Sequence, residues 1–185
     1  NEAMWHWLKS KLTPTRDYVA EEAAAQIRAA ALLQRSTSPS QWLKEAWAND
    51  RTYEPRRSNA SAQVEAIEAR YDIRIPEDFR AYLCDVAPLS DFMDDVGTSW
   101  WSIENVKNVP DECSTPPGKI NPKIEMESDK YLIFADYLIW CYAWAICCSE
   151  SANRGKIALI GGMPNDFVAD DFRQFVALEL ADSRA

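Results

Sequence analysis

The longest apolar stretch of the chain is residues 131–148, YLIFADYLIWCYAWAICC, in which Asp136 is the one charged residue. A membrane-spanning helix needs roughly 20 consecutive apolar residues and tolerates a central carboxylate poorly. Only 13 residues separate Asp136 from Glu150, so a span is not expected. The run is rich in aromatic and β-branched residues, which suit a pleated, buried surface. It predicts two strands, roughly 131–135 and 139–147, with Ala135-Asp136-Tyr137 as a turn or bulge between them.

Helical spacing dominates the first half of the chain. WHWLKSKL at 5–12 is short and aromatic and suggests a partial helix. AEEAAAQIRAAALL has strong helix propensity and predicts a helix to about Gln34, capped by Thr15 or Asp17. After a break at Ser36–Ser40, QWLKEAWAN predicts a second helix capped by Ser40, with Trp42, Leu43, Ala46 and Trp47 on one face. Residues 50–59 read as a linker. Val64, Ile67 and Tyr71 then mark a third helix, and Pro76 followed by Glu77 and Asp78 opens a fourth, whose apolar stripe is Phe79, Tyr82, Leu83 and Val86. SWWSIENV at 99–106 predicts a strand running into a turn or short helix. Residues 107–129 form a long, Pro-rich, irregular connection. Gly155 to Ile160 is a strand, GGMP at 161–164 a turn, and Asp170 or Asp171 caps a last helix with Phe172, Phe175, Val176 and Leu180 on one side. This order predicts an α+β fold with a largely antiparallel sheet. It also divides the chain into a helical extension, 1–57, and an α+β domain, 58–185.

Charge adds to this division. The chain carries a net −9, yet residues 1–57 hold nine Lys/Arg against seven Asp/Glu, while residues 58–185 hold 11 against 22. A direct nucleic-acid ligand needs a basic face, so none is expected. The acidity serves solubility or steers a basic protein partner. Five cysteines without metal or disulfide spacing predict buried free thiols and a reducing, cytoplasmic compartment. The first 15 residues have no continuous apolar segment, so no secretory signal is expected.

The chemistry on offer is carboxylate chemistry. The single histidine, His6, lies outside residues 58–185, which rules out a Ser-His or Cys-His relay or a His-ligated metal there. Neither a phosphate loop nor a dinucleotide fingerprint occurs. Asp91, Asp94 and Asp95 cluster in a loop, open either to binding or to solvation. Asp170 and Asp171 suit helix capping. Asp136 must be paired, hydrogen-bonded or near water, whether it fixes a turn or faces a partner. Trp100 and Trp101, neighbours on a strand, point to opposite faces, so at least one joins the core; the other is a candidate interface anchor, or joins the core too if helices cover both faces.

Taken in order, IEARYDIRIPEDFRAYL (67–83), WWSIENV (100–106), YLIFAD (131–136), CYAWAIC (141–147) and GGMPNDFVADDFRQFVAL (161–178) resemble the SUKH superfamily. Ile75-Pro76-Glu77-Asp78-Phe79, Trp101-Ser102-Ile103-Glu104-Asn105 and Phe134-Ala135-Asp136 match its elements, as does 169–175. The usual acidic residue after the aromatic of the fifth element is missing: Trp144 is followed by Ala-Ile-Cys. The helices at 16–49 fall outside the pattern. The resemblance implies a SUKH-like α+β fold and a bacterial immunity protein that neutralises a cognate toxin without catalysis, cofactor or metal; the acidity of residues 58–185 makes a nuclease the candidate toxin. The alternative it offers is a regulatory scaffold. The toxin face expected from it comprises Asp91, Asp94, Asp95, Trp100 and Asp136.

Overall fold

The computed structural model describes residues 18–56, 58–113, 121–162 and 165–182. The segment at 5–12, His6, the candidate caps Thr15 and Asp17, and Met163 and Pro164 lie outside them.

The apolar run folds as two antiparallel strands, β4 (Tyr131–Tyr137) and β5 (Tyr142–Cys147). β4 runs two residues further than its sequence suggests, and β5 starts three residues later. The turn is Leu138–Cys141, three residues beyond the expected one, and Asp136 sits inside β4, beside a bulge at 133–135, rather than in a turn. The remaining strands are β1 (Phe92–Met93), β2 (Thr98–Trp100), β3 (Lys107–Asn108), β6 (Ile157–Ile160) and β7 (Phe167–Ala169). They complete an antiparallel sheet of order β1-β2-β4-β5-β6-β7. The short β3 pairs with the same side of β4 as β2 does, one stretch further along. The chain between them, 101–106, leaves the sheet, and the amide of Trp101 donates to Phe134 O at 3.0 Å across the gap.

Among the described residues seven α-helices flank the sheet: α1 (Tyr18–Leu33), α2 (Pro39–Trp47), α3 (Ser61–Tyr71), α4 (Glu77–Asp85), α5 (Val109–Glu112), α6 (Pro122–Glu125) and α7 (Phe172–Asp182). The cap of α2 is Ser38, not Ser40. Its Oγ accepts Gln41 N at 3.2 Å, and Pro39 fills the first turn, where its missing N–H costs nothing. For α7 the cap is Asp171, whose Oδ1 accepts Gln174 N at 2.7 Å. Among the described residues no helix is long and apolar enough to cross a membrane.

The sheet is buried on both faces, which explains why β4 and β5 read as a continuous apolar run rather than as an alternation. One face carries Leu132, Phe134, Trp144, Ile146, Ile157 and Leu159 against α2, α4 and α7. Its centre is an aromatic cluster of Phe79, Tyr82, Trp100, Phe134, Phe172 and Phe175 with ring centroids 5.0–6.4 Å apart. Trp42, Leu43 and Trp47 of α2 belong to this same core, with Trp47 edge-on to Trp100 at 5.0 Å. The opposite face is built of smaller residues: Ile133, Ala143, Ala145, Cys147, Ala158 and Ile160. Val109 and Ile124, from α5 and α6, cover it. The described parts of the connection expected to be irregular at 107–129 therefore cover the second face.

Thiol burial divides the cysteines. Cys84, Cys147 and Cys148 are buried, Cys113 is half-buried and Cys141 is exposed on the β4–β5 turn.

Candidate functional site

A β-bulge aims the central residue of the site. The β4–β5 register shifts between Ile133 and Ala135, so Ala135 pairs with Trp144 and Asp136 with Ala143. Strict alternation would put Asp136 on the same face as Leu132 and Phe134, in the aromatic core. The extra residue reverses that phase and turns the carboxylate to the second face instead, a recurrent use of bulges beside functional sites.

Asp136 is 6% exposed and both its oxygens are occupied. Oδ2 accepts Trp101 Nε1 at 2.7 Å, and Oδ1 accepts the amide of Trp140 at 2.7 Å. The second bond closes the β4–β5 turn. That turn is unusual: Leu138, Ile139 and Trp140 all have positive φ, at 44°, 57° and 67°. L-residues with side chains visit this region singly and at a cost. The turn is held further by Leu138 N donating to Gly97 O at 3.0 Å. Leu138 lies so close over Gly97 that a Cβ there would sit 2.9 Å from Leu138 Cδ2. The outcome is a tip that holds Ile139 87% exposed and Leu138 47% exposed.

Beside the tip is a cleft of about 240 Å³, lined by Asp91, Trp101, Asn105, Lys107, Glu112, Asp136 and Trp140. Trp140 Nε1 donates to Glu112 Oε1 at 2.9 Å, and Lys107 Nζ stands 2.7 Å from Glu112 Oε2. Asp91 accepts Ser102 N at 2.6 Å and Asn105 Nδ2 at 2.8 Å. Three carboxylates thus face one lysine between two indoles. Every acid is fixed by a hydrogen bond, so the site is organised before anything binds.

The five residues expected on a binding face separate in space. Asp91 and Asp136 meet in the cleft. Asp94 closes the β1–β2 hairpin: it accepts Val96 N, Thr98 N and Trp100 Nε1 at 2.8–3.1 Å. Burial pushes its carboxyl above the usual range, against the pull of those bonds. Asp95 is exposed at the tip of that hairpin. Trp100 is a correction. It is wholly buried in the aromatic core and presents no surface, because helices cover the face of the sheet it points to. Its neighbour Trp101, on the other face, is the tryptophan that reaches the cleft. The alternation along the strand signalled that the two would part; both are buried, Trp101 at 6% exposure in the second core, because both faces of the sheet are covered. Trp140, Glu112, Lys107 and Asn105 carried no local signal, because they meet only through tertiary packing. Asp170 and Asp171 lie at the start of α7, where Asp171 caps the helix and Asp170 N donates to Gln174 Oε1 at 2.6 Å. Among the described residues no group of three or more His, Cys, Asp or Glu is arranged to hold a metal ion.

Comparison of the chain with protein-family models, with curated proteins and with solved structures returns no match in any of the three.

Proposed function

We propose that the protein is an immunity-type inhibitor, which binds a toxin protein with a basic face and blocks it without chemistry of its own. The observation that carries this reading is the pairing of a rigid, carboxylate-lined cleft with an exposed apolar hairpin tip. An apolar anchor beside oriented charge is what a specific protein interface needs at its centre, and a surface-exposed isoleucine in a strained turn serves no folding purpose. Three further features support it. Residues 58–185 hold twice as many acids as bases, 22 against 11, which favours fast encounter with a basic partner. The same residues contain no histidine. The motif order across 67–178 resembles the SUKH superfamily, in which a SUKH-like domain binding a toxin in the cytoplasm is the expected role.

Growth protection tests the proposal. The partner captured with the tagged chain from its native cells is expressed alone and then together with this chain. Expected is arrest of growth by the partner alone, rescue by the wild type, and loss of rescue with Ile139→Glu, which alters only an exposed side chain. A partner that is harmless alone, or full rescue by Ile139→Glu, overturns the reading.

A further inference from the structure

We propose that the cleft between β4, the 101–106 loop and α5 receives the guanidinium of a single arginine from the partner protein. That the partner is a protein rests on the function proposed above; the preference for a flat cation rests on the cleft itself.

The lining is anionic and its acceptors are only half used. Among the described residues that line it, Asp91, Glu112 and Asp136 stand with one base, Lys107. Each oxygen of Asp136 accepts one N–H, and so does each oxygen of Asp91. A carboxylate oxygen can accept two, so four acceptor directions stay open in fixed orientation. A guanidinium offers five N–H donors in one plane and can serve more than one carboxylate at once, whereas an ammonium acts as a point charge. The indoles of Trp101 and Trp140 add walls that attract a cation, and arginine more than lysine, because its plane stacks on aromatic rings. A volume of about 240 Å³ admits one such side chain, not a folded element. The cleft already draws a cation: Lys107, 39% exposed at its side chain, reaches in to Glu112 at 2.7 Å. Ile139 and Leu138 are exposed in the turn that also carries Trp140, and would offer the apolar part of the arginine-bearing segment a place to rest.

Lys107 makes the proposal discriminating. A resident lysine competes with and repels an incoming guanidinium, so removing it should tighten binding. A cleft with only a structural role would show no such gain.

The intact chain, with ¹⁵N-labelled indoles, is titrated with N-acetylarginine methylamide and followed by NMR at the Trp101 and Trp140 indole N–H resonances, assigned with Trp140→Phe. A single side chain should half-saturate at about 1–10 mM. The neutral isostere N-acetylcitrulline methylamide should produce no saturable shift, and the lysine analogue should bind more weakly. Lys107→Gln should tighten binding about threefold or more, and Glu112→Gln should loosen it by a similar factor. Asp91→Asn, on an exposed residue, gives a second reading should Glu112→Gln disturb the fold. Absence of a saturable shift with arginine, equal binding of citrulline or lysine, or weaker binding by Lys107→Gln overturns the proposal. Arginine binding together with failed growth protection would leave the cleft standing and remove the immunity reading. Protection without arginine binding would do the reverse.

Discussion

Ile139 combines two unfavourable states, a β-branched residue at φ 57° and an apolar side chain 87% exposed. The left-handed conformation costs roughly 1–2 kcal/mol at a residue with a Cβ. The surroundings hold it there through Asp136, Gly97 and Leu138. Glycine adopts this φ freely but enlarges the unfolded ensemble, a loss of about 0.5–1 kcal/mol. Ile139→Gly removes no buried surface, so the two terms leave a net stabilisation of about 0.5–1 kcal/mol. The urea midpoint of the variant should rise while partner binding falls. A lower midpoint would show that the turn is not strained. This turn was hard to read from residues alone for a physical reason: Leu-Ile-Trp-Cys contains no glycine, proline, asparagine or aspartate, the residues that usually signal reversal. Asp136 was the only turn-like residue in reach, and it acts from inside the strand by accepting the Trp140 amide.

Helix α7 meets strand β2 through a carboxylate that titrates near neutrality. Glu179 is pushed up to about 7, chiefly by burial, with repulsion from Asp94 and Asp182 adding to it and the hydrogen bond from Thr98 opposing it. Thr98 Oγ1 donates to Glu179 Oε2 at 2.7 Å. The folded value lies above the unfolded one of 4.5, so the protonated form is the one the fold prefers. This contribution is whole below about pH 4.5 and lost as pH rises through about 7. Glu179→Gln holds the neutral state at every pH. It should stabilise the protein by on the order of 2 kcal/mol at pH 8 and change little at pH 4.5, as measured by urea unfolding at the two values. An equal gain at both would mean that ionisation is not the cause. At this scale the long helices were legible because their apolar positions repeat at helical spacing, as Val64, Ile67 and Tyr71 do. Strands β1 and β3, of two residues each, and β7, of three, are too short to show a period of two. They exist because β2, β4 and β6 offer them unpaired edges. The lid made by α5 and α6 was equally hidden, since each is one turn of helix carrying one buried anchor, Val109 or Ile124.

Across the whole molecule, the general α+β architecture was legible, but the way its parts share a core was not. The linker composition of 50–59 and the change of charge near residue 58 suggest an extension followed by a domain. The core contacts run across that boundary. Trp47 packs on Tyr53, Phe92 and Trp100 with centroids 4.9–5.1 Å apart. Arg173 of α7 places its guanidinium 4.4 Å from the Trp42 ring and donates to Thr37 O at 2.9 Å, and Arg28 Nε donates to Ala181 O at 2.8 Å. Removing the first 57 residues would expose Phe79, Trp100 and Phe172 at the centre of the aromatic cluster, so a chain of residues 58–185 should show no cooperative melting transition. Trp47→Ala in the full chain keeps the topology and tests the same coupling by degree. A buried tryptophan lost to a cavity costs about 3–5 kcal/mol, a large share of the total for a domain of this size. Unfolding should stay a single transition at lower urea, seen alike by tryptophan fluorescence and far-ultraviolet circular dichroism, because the helices and the sheet lean on one core. Two separated transitions, or a stable 58–185 fragment, would show instead that α1 and α2 are an appendage, and the acidic domain could then present its cleft without them.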